Sequence, residues 1–117
     1  MGSGRSGLYY GTQGSRNRLP ENPAQIKHIF RKSKGHLANN SRNRKTLLDL
    51  INDSSCYVGT DKDGCKWYIK IAKNGAQYWA KVKNCKLSNG GYNRSPKIWD
   101  EETGLCKNPD RNKDGNK

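Results

Sequence analysis

Two histidines, His28 and His36, lie in a stretch from Ile26 to Lys45 that carries seven Lys or Arg and no Asp or Glu. An imidazole titrates near neutrality and can act as base or acid at physiological pH. In such basic surroundings a pair of them suits cleavage of a ribose–phosphate backbone. One takes the proton of a 2′-hydroxyl as it attacks the neighbouring phosphorus, the other protonates the departing 5′-oxygen, and a cationic side chain steadies the phosphorane. Arg31 and Lys70 are the candidates for that last role. RNA brings its own nucleophile, so this chemistry calls for no metal and no cofactor.

Other chemistries find less support. The ten acidic residues are scattered, with no carboxylate cluster suited to Mg²⁺ or Zn²⁺, and the four cysteines form no Cys-x-x-Cys pair. No phosphate-cradling glycine loop or nucleophilic-serine elbow is present. Asp110, Asn112, Asp114 and Gly115 resemble the opening of an EF-hand loop, but the chain stops before the bidentate Glu.

The elements that would position these groups can be traced from capping and periodicity. Asn22-Pro23 opens a short helix, with Gly35 as its left-handed stop; Ile26, Ile29 and Phe30 share its buried face, leaving Lys27, His28, Arg31 and Lys32 largely on the other. A second helix is expected from a Ser41 or Asn43 cap, with Leu47, Leu50 and Ile51 as its apolar stripe and Asp53 and two serines ending it. From Cys56 the period falls to two, and Asp63-Gly64 and Asn74-Gly75 mark hairpins between strands Cys56 to Asp61, Cys65 to Lys73 and Ala76 to Lys83.

Treating both turns as two-residue loops pairs Ile71 with Tyr78, Ile69 with Ala80, Trp67 with Val82 and Val58 with Ile69, all on a buried face. The opposite face then carries Tyr57, Lys66, Tyr68, Lys70, Gln77, Trp79, Lys81 and Lys83. Lysines there would neutralise phosphates while Tyr68 and Trp79 stack on unpaired bases, with Lys66 and Lys81 beside them. Asn84-Cys85 closes a further turn from which Leu87 returns; residues 89–93 read as an irregular glycine-rich crossing, and Pro96 to Trp99 as a last strand or anchored loop. The fold expected is α+β, short N-terminal helices on a twisted antiparallel β-meander.

Length and composition agree. The chain has 117 residues, enough for one domain, and a net charge of +13. That surplus favours phosphate backbones, anionic membranes or an acidic protein that masks it. The apolar residues concentrate between Ile26 and Leu105, which divides the chain into a flexible leader (1–20), a folded domain (21–106) and a disordered polar tail (107–117). No run approaches the ~20 apolar residues of a membrane helix, and no stable membrane association is expected. Met1-Gly2-Ser3 looks like an added leader or the boundary of an excised fragment, so any export signal is expected outside this chain.

Certain short motifs carry a resemblance. Lys27-His28-Ile29-Phe30-Arg31, Gly35-His36-Leu37, Asn43-Arg44, Gly59-Thr60-Asp61 with Gly64 and Trp67-Tyr68, Gln77 with Trp79, Gly90-Gly91-Tyr92-Asn93 with Pro96, and Thr103-Gly104-Leu105 follow one another between about Gln25 and Leu105. In that order they resemble the C-terminal toxin domains of bacterial polymorphic and contact-dependent growth inhibition (CdiA-like) proteins. These modules are similar to the barnase, EndoU, colicin and RelE group of ribonucleases. The resemblance implies a toxin delivered as the end of a larger secreted or cell-surface effector and acting in the cytoplasm of a target bacterium. Its substrate would be tRNA or another cellular RNA, and its partner a cognate acidic immunity protein; a host activating factor is left open. Asn93 and Thr103 enter as RNA-positioning residues on this resemblance alone.

Cys65 and Cys85 depart from the pattern, replacing small or polar turn residues. In the register above residue 65 lies opposite residue 84, so a Cys65–Cys85 disulfide is expected, leaving Cys56 with Cys106. Two alternatives share the charge but not the chemistry: a non-catalytic RNA-binding module that blocks translation by occupancy, and a DNase, which metal dependence would reveal.

Overall fold

The Asn22 side chain accepts a hydrogen bond from the Ala24 amide at 2.8 Å, and Pro23 sits where its missing N–H costs nothing, so helix α1 starts at Pro23 as expected and runs Pro23–Ile29. The structure, a computed structural model, describes residues 16–106. α1 ends earlier than the Gly35 stop expected from sequence. Phe30 is already extended and bridges Leu37 in parallel, because burying the Phe30 ring and pairing its backbone outweighs one further helical turn. Helix α2 spans Ser41–Ile51, capped not by Ser41 or Asn43 but by Asn40, whose side chain accepts from the Asn43 amide at 2.8 Å. Its buried stripe is Leu47, Leu50 and Ile51, as the spacing indicated.

Four strands follow in one antiparallel sheet of order β1-β2-β3-β4: β1 Tyr57–Thr60, β2 Lys66–Ile71, β3 Gln77–Lys83 and β4 Lys86–Asn93. A separate two-stranded ribbon pairs β5 (Ile98–Asp100) with β6 (Gly104–Cys106). The fold is therefore α+β, with N-terminal helices packed on an antiparallel meander. Residues 89–93 form no irregular crossing; they complete β4, with a bulge at Ser88 where Lys81 faces Asn89 but Val82 faces Leu87. No helix among the described residues is long and apolar enough to cross a membrane.

The register differs from the expected one by a single residue. Asn74-Gly75 and Asp63-Gly64 each belong to a three-residue loop. Gly75 donates to the Ala72 carbonyl at 2.9 Å and Ala72 to the Ala76 carbonyl at 2.8 Å; Gly64 donates to Asp61 at 3.0 Å and Asp61 to Cys65 at 2.9 Å. This is a type I turn closed by a left-handed glycine, Gly75 at φ 89° and Gly64 at φ 87°. Only the glycine then needs positive φ, whereas a two-residue loop would demand it of Asn74 and Asp63 as well. Consequently Ile71 pairs with Gln77, Ile69 with Trp79, Tyr68 with Ala80, Trp67 with Lys81 and Lys66 with Val82, while Val58 is a bulge residue rather than the partner of Ile69. A one-residue slip exchanges the two faces of a strand.

The core lies between the helices and the face carrying Tyr68, Ala80, Val82 and Leu87, with Ile29, Phe30, Leu47, Leu50, Ile51 and Cys56 against it. Tyr68 is 8% exposed and its hydroxyl meets Asn17 Nδ2 at 3.4 Å. Residues 16–20 belong to this unit, not to the leader. Asn17 and Asn52 exchange hydrogen bonds of 2.9 Å at the end of α2, and Arg18 bridges Lys86, its amide donating to Cys85 and its carbonyl accepting from Leu87. The rest of the expected leader and the tail 107–117, with its EF-hand-like string, lie outside the described residues.

Candidate functional site

The face of the sheet turned away from α2 carries Trp67 and Ile69 on β2, Gln77, Trp79 and Lys81 on β3, and Asn89, Gly91 and Asn93 on β4. Two segments reach over it. The loop after α1 crosses β4 at Gly91, where the Gly35 carbonyl accepts from Tyr92 N at 3.1 Å and from Trp79 Nε1 at 3.3 Å. A Cβ at Gly91 would collide with that carbonyl and with His36 Cα, so glycine here is what allows the loop to lie on the strand. Beyond β4 the chain is clipped by Gln77, whose Nε2 donates to Lys97 O at 2.9 Å and whose Oε1 accepts from Lys97 N at 3.1 Å and Asn93 Nδ2 at 2.9 Å. The β5–β6 ribbon then packs Trp99 over Gly59 and Gly104 under Trp67.

Between these covers runs a row of side chains. Trp67 and Trp79 stack with centroids 5.8 Å apart, and the Lys81 ammonium sits 5.6 Å above the Trp67 ring. Asp61 fixes that ring through Trp67 Nε1 at 2.8 Å, and its other oxygen takes the Asp63 and Cys65 amides at 2.9 Å each. Desolvation by itself would raise the Asp61 carboxyl, but these hydrogen bonds, with Lys81 nearby, hold it below the usual range. On the other side of Trp79, His36 meets the indole edge-on at 6.1 Å.

His36 is set by the end of α1. Its Nδ1 lies 3.1 Å from the Ile29 carbonyl, which can only accept, so Nδ1 carries the proton and Nε2 presents its lone pair to Arg31 Nη2 at 3.0 Å. Arg31 folds back on α1, its Nη1 donating to the His28 carbonyl and lying 3.4 Å from His28 Nδ1. Burial of the imidazole lowers the His36 pKa; the Ile29 carbonyl opposes this, and the Arg31 charge adds to the lowering. His36 is thus held neutral, its Nε2 lone pair engaged by Arg31. Both histidines and Arg31 form one cluster at the rim of the aromatic face, brought together by the early end of α1.

The other expected residues divide. Trp79, Lys81 and Asn93 lie on this face, Asn93 buried against Gln77. Thr103 is exposed in the turn of the β5–β6 ribbon, where Asp100 caps its amide at 3.3 Å. Lys66, Tyr68 and Lys70 are turned to the helix side by the register. Lys70 borders a cleft with Thr46, Asp49, Asp53 and Tyr78, away from the histidines, and the buried Tyr68 is unable to stack on a base. All four cysteines are free thiols. Cys65 is buried just before β2 and faces Lys83 in the continued register, so the Cys65–Cys85 bridge expected from two-residue loops is not formed, and Cys56 is not joined to Cys106. Trp67 and Asp61 are the members missed by sequence; Trp67 follows directly once β2 is shifted by one.

Among the described residues no three His, Cys, Asp or Glu side chains gather as a metal-binding group. Comparison with protein-family models, curated proteins and solved structures finds no match.

Proposed function

We propose that this chain is an endoribonuclease that cleaves RNA without a metal, with His36 as the base. The observation that carries this reading is the guanidinium of Arg31 set between His36 Nε2 and His28 Nδ1, at the edge of a Trp67–Trp79 face bearing Lys81. Bases stacked on Trp79 would bring their backbone to Arg31. His36 Nε2 then takes the 2′-hydroxyl proton, the O2′–P bond forms, and the P–O5′ bond breaks with His28 protonating the leaving oxygen. Arg31 steadies the added charge on phosphorus. The products are a 2′,3′-cyclic phosphate and a 5′-hydroxyl. Lys70, on the other side of the sheet, has no part in this.

The order of motifs, the basic surplus and this cluster together support a toxin domain of the contact-dependent inhibition kind, delivered on a larger effector and acting on tRNA or another RNA of the target cell. The acidic immunity protein that fits such a toxin would cover Arg31, Lys81 and the accessible part of Trp79, rather than the Lys66 and Lys70 side. A second reading has its own observation: Arg31 and His36 both bond the last carbonyls of α1, so they could serve as caps beside a non-catalytic RNA platform.

Incubation with tRNA in EDTA and analysis of fragment ends separates the two. Cleavage leaving cyclic phosphate is expected, with His36→Ala slower by ~10²–10⁴-fold. A need for Mg²⁺, or a His28→Ala, His36→Ala double variant that cuts at the wild-type rate, overturns the mechanism. RNA bound intact by the wild type gives the platform reading.

A further inference from the structure

Arg31 is half-buried and, among the described residues, has no carboxylate within ion-pair distance. Its charge is met instead by neutral acceptors: the His28 carbonyl, His28 Nδ1 and the lone pair of His36. A guanidinium prefers an anion to any of these, because bidentate pairing with phosphate is roughly twice as strong as bonding to neutral groups. The His36 lone pair occupied by Arg31 is also the one a base must use. In the unliganded protein the reactive nitrogen is therefore blocked by the residue best suited to hold the substrate.

We propose that Arg31 is an exchangeable latch on His36: a phosphate group captured by Arg31 draws the guanidinium off Nε2 and frees the imidazole to act. The inference rests on the ribonuclease reading for the identity of the natural phosphate, a backbone phosphodiester, but the exchange itself needs only an anion at Arg31. Arg31 from its own loop and His28 from α1 are the charged or titratable groups bearing on His36; β3 presents only the Trp79 ring and β4 the Gly90 carbonyl. Once phosphate neutralises Arg31, the charge opposing protonation of His36 is cancelled and a negative charge stands nearby. Both changes make Nε2 more basic. The base would be held back until a substrate phosphate is in place and strengthened when it arrives, which limits wasted protonation in the free protein.

Histidine nitrogen NMR on the intact chain reads this without any cleavage. The probes are inorganic phosphate and a 2′-deoxy oligonucleotide, which lacks the nucleophile, each against chloride at matched ionic strength. In chloride, His36 is expected as the Nδ1–H tautomer with a midpoint below the usual histidine value. Either probe should move that midpoint up by about one pH unit and change the Nε2 shift as the Arg31 bond is lost. Arg31→Gln should start with a higher midpoint and respond to neither probe; Arg31→Lys, which keeps the charge without the fork, should respond weakly. A wild-type midpoint indifferent to both probes, or an equal response in Arg31→Gln, overturns the latch. A response to inorganic phosphate but not to the oligonucleotide keeps the latch and assigns it to free phosphate. If the latch responds and RNA is never cut, the ribonuclease reading fails while the latch stands.

Discussion

Gly91→Ala tests how the histidine loop is seated. The new Cβ would lie within the envelope of the Gly35 carbonyl oxygen, 2.9 Å from its carbon and 3.0 Å from His36 Cα. All three are backbone atoms, which cannot rotate aside, and ordinary carbon–oxygen contacts begin near ~3.3 Å, so the loop must retreat by more than ~1 Å. That movement breaks the hydrogen bonds from Tyr92 N and Trp79 Nε1 to Gly35 O. At ~1 kcal/mol net each, plus ~1–3 kcal/mol for overpacking, the loss is about 3–5 kcal/mol if the loop stays in register. In a domain of this size 3 kcal/mol corresponds to a Tm lower by roughly 12–24 °C. If the loop lifts off instead, the stability loss is smaller, but His36 leaves the Trp79 edge and cleavage falls by at least ~10²-fold. Thermal unfolding and tRNA cleavage on one preparation distinguish these outcomes. A Gly91→Ala protein with wild-type Tm and wild-type cleavage would refute both the seating of the loop and the placement of His36.

Titration of the free protein should show the same histidine in its stability. Its folded-state pKa lies below the unfolded value of 6.5, so the unfolded chain binds the proton first and stability falls as pH drops below about that value. Denaturant titrations between pH 7 and 5 should show this slope, and His36→Gln should remove it. The acid limb of kcat/KM, which reports the free protein, should lie at lower pH than the acid limb of kcat, which reports the complex; coincident limbs would contradict a latch released by substrate. Trp79→Ala should weaken RNA binding by about 1–3 kcal/mol and Lys81→Ala should reduce the salt dependence by about one unit of slope, whereas Lys70→Ala should leave both unchanged. Tyr68→Ala should instead cost about 3–5 kcal/mol of stability through its lost core packing, read by denaturant unfolding. Cys85 occupies a left-handed turn position at φ 63°, so Cys85→Gly should stabilise by ~1 kcal/mol with or without reductant. A lower Tm only under oxidising conditions would mean that Cys85 is bridged in solution.

Much of the local structure could be read directly from the residues. Asn22-Pro23 fixed the start of α1 because an amide cap and a preset φ act within three residues, and Leu47, Leu50 and Ile51 marked the buried side of α2 because helical periodicity is a local property. Asp-Gly and Asn-Gly located both hairpins for the same reason. What they left undecided was loop length, since a glycine closes a two-residue or a three-residue turn equally well. Lys66 to Ile71 did not settle the choice: Trp67, Ile69 and Ile71 share one parity and Tyr68 the other, so either face of β2 could have been buried. Tertiary packing decided it, because the residues α2 covers are Tyr68, Ala80, Val82 and Leu87, a set whose alignment involves three strands and a helix at once. That single step put Tyr68 in the core, separated Lys70 from the histidines and turned Trp67 to the opposite face beside Trp79, where the β5–β6 ribbon buries it. The histidines were visible as a basic pair from the start. Their meeting at Arg31 was not, because it depends on Phe30 leaving the helix to pair with Leu37, which helical periodicity does not announce, and on Gly91 admitting the returning loop, a contact between residues more than fifty apart that no local pattern encodes.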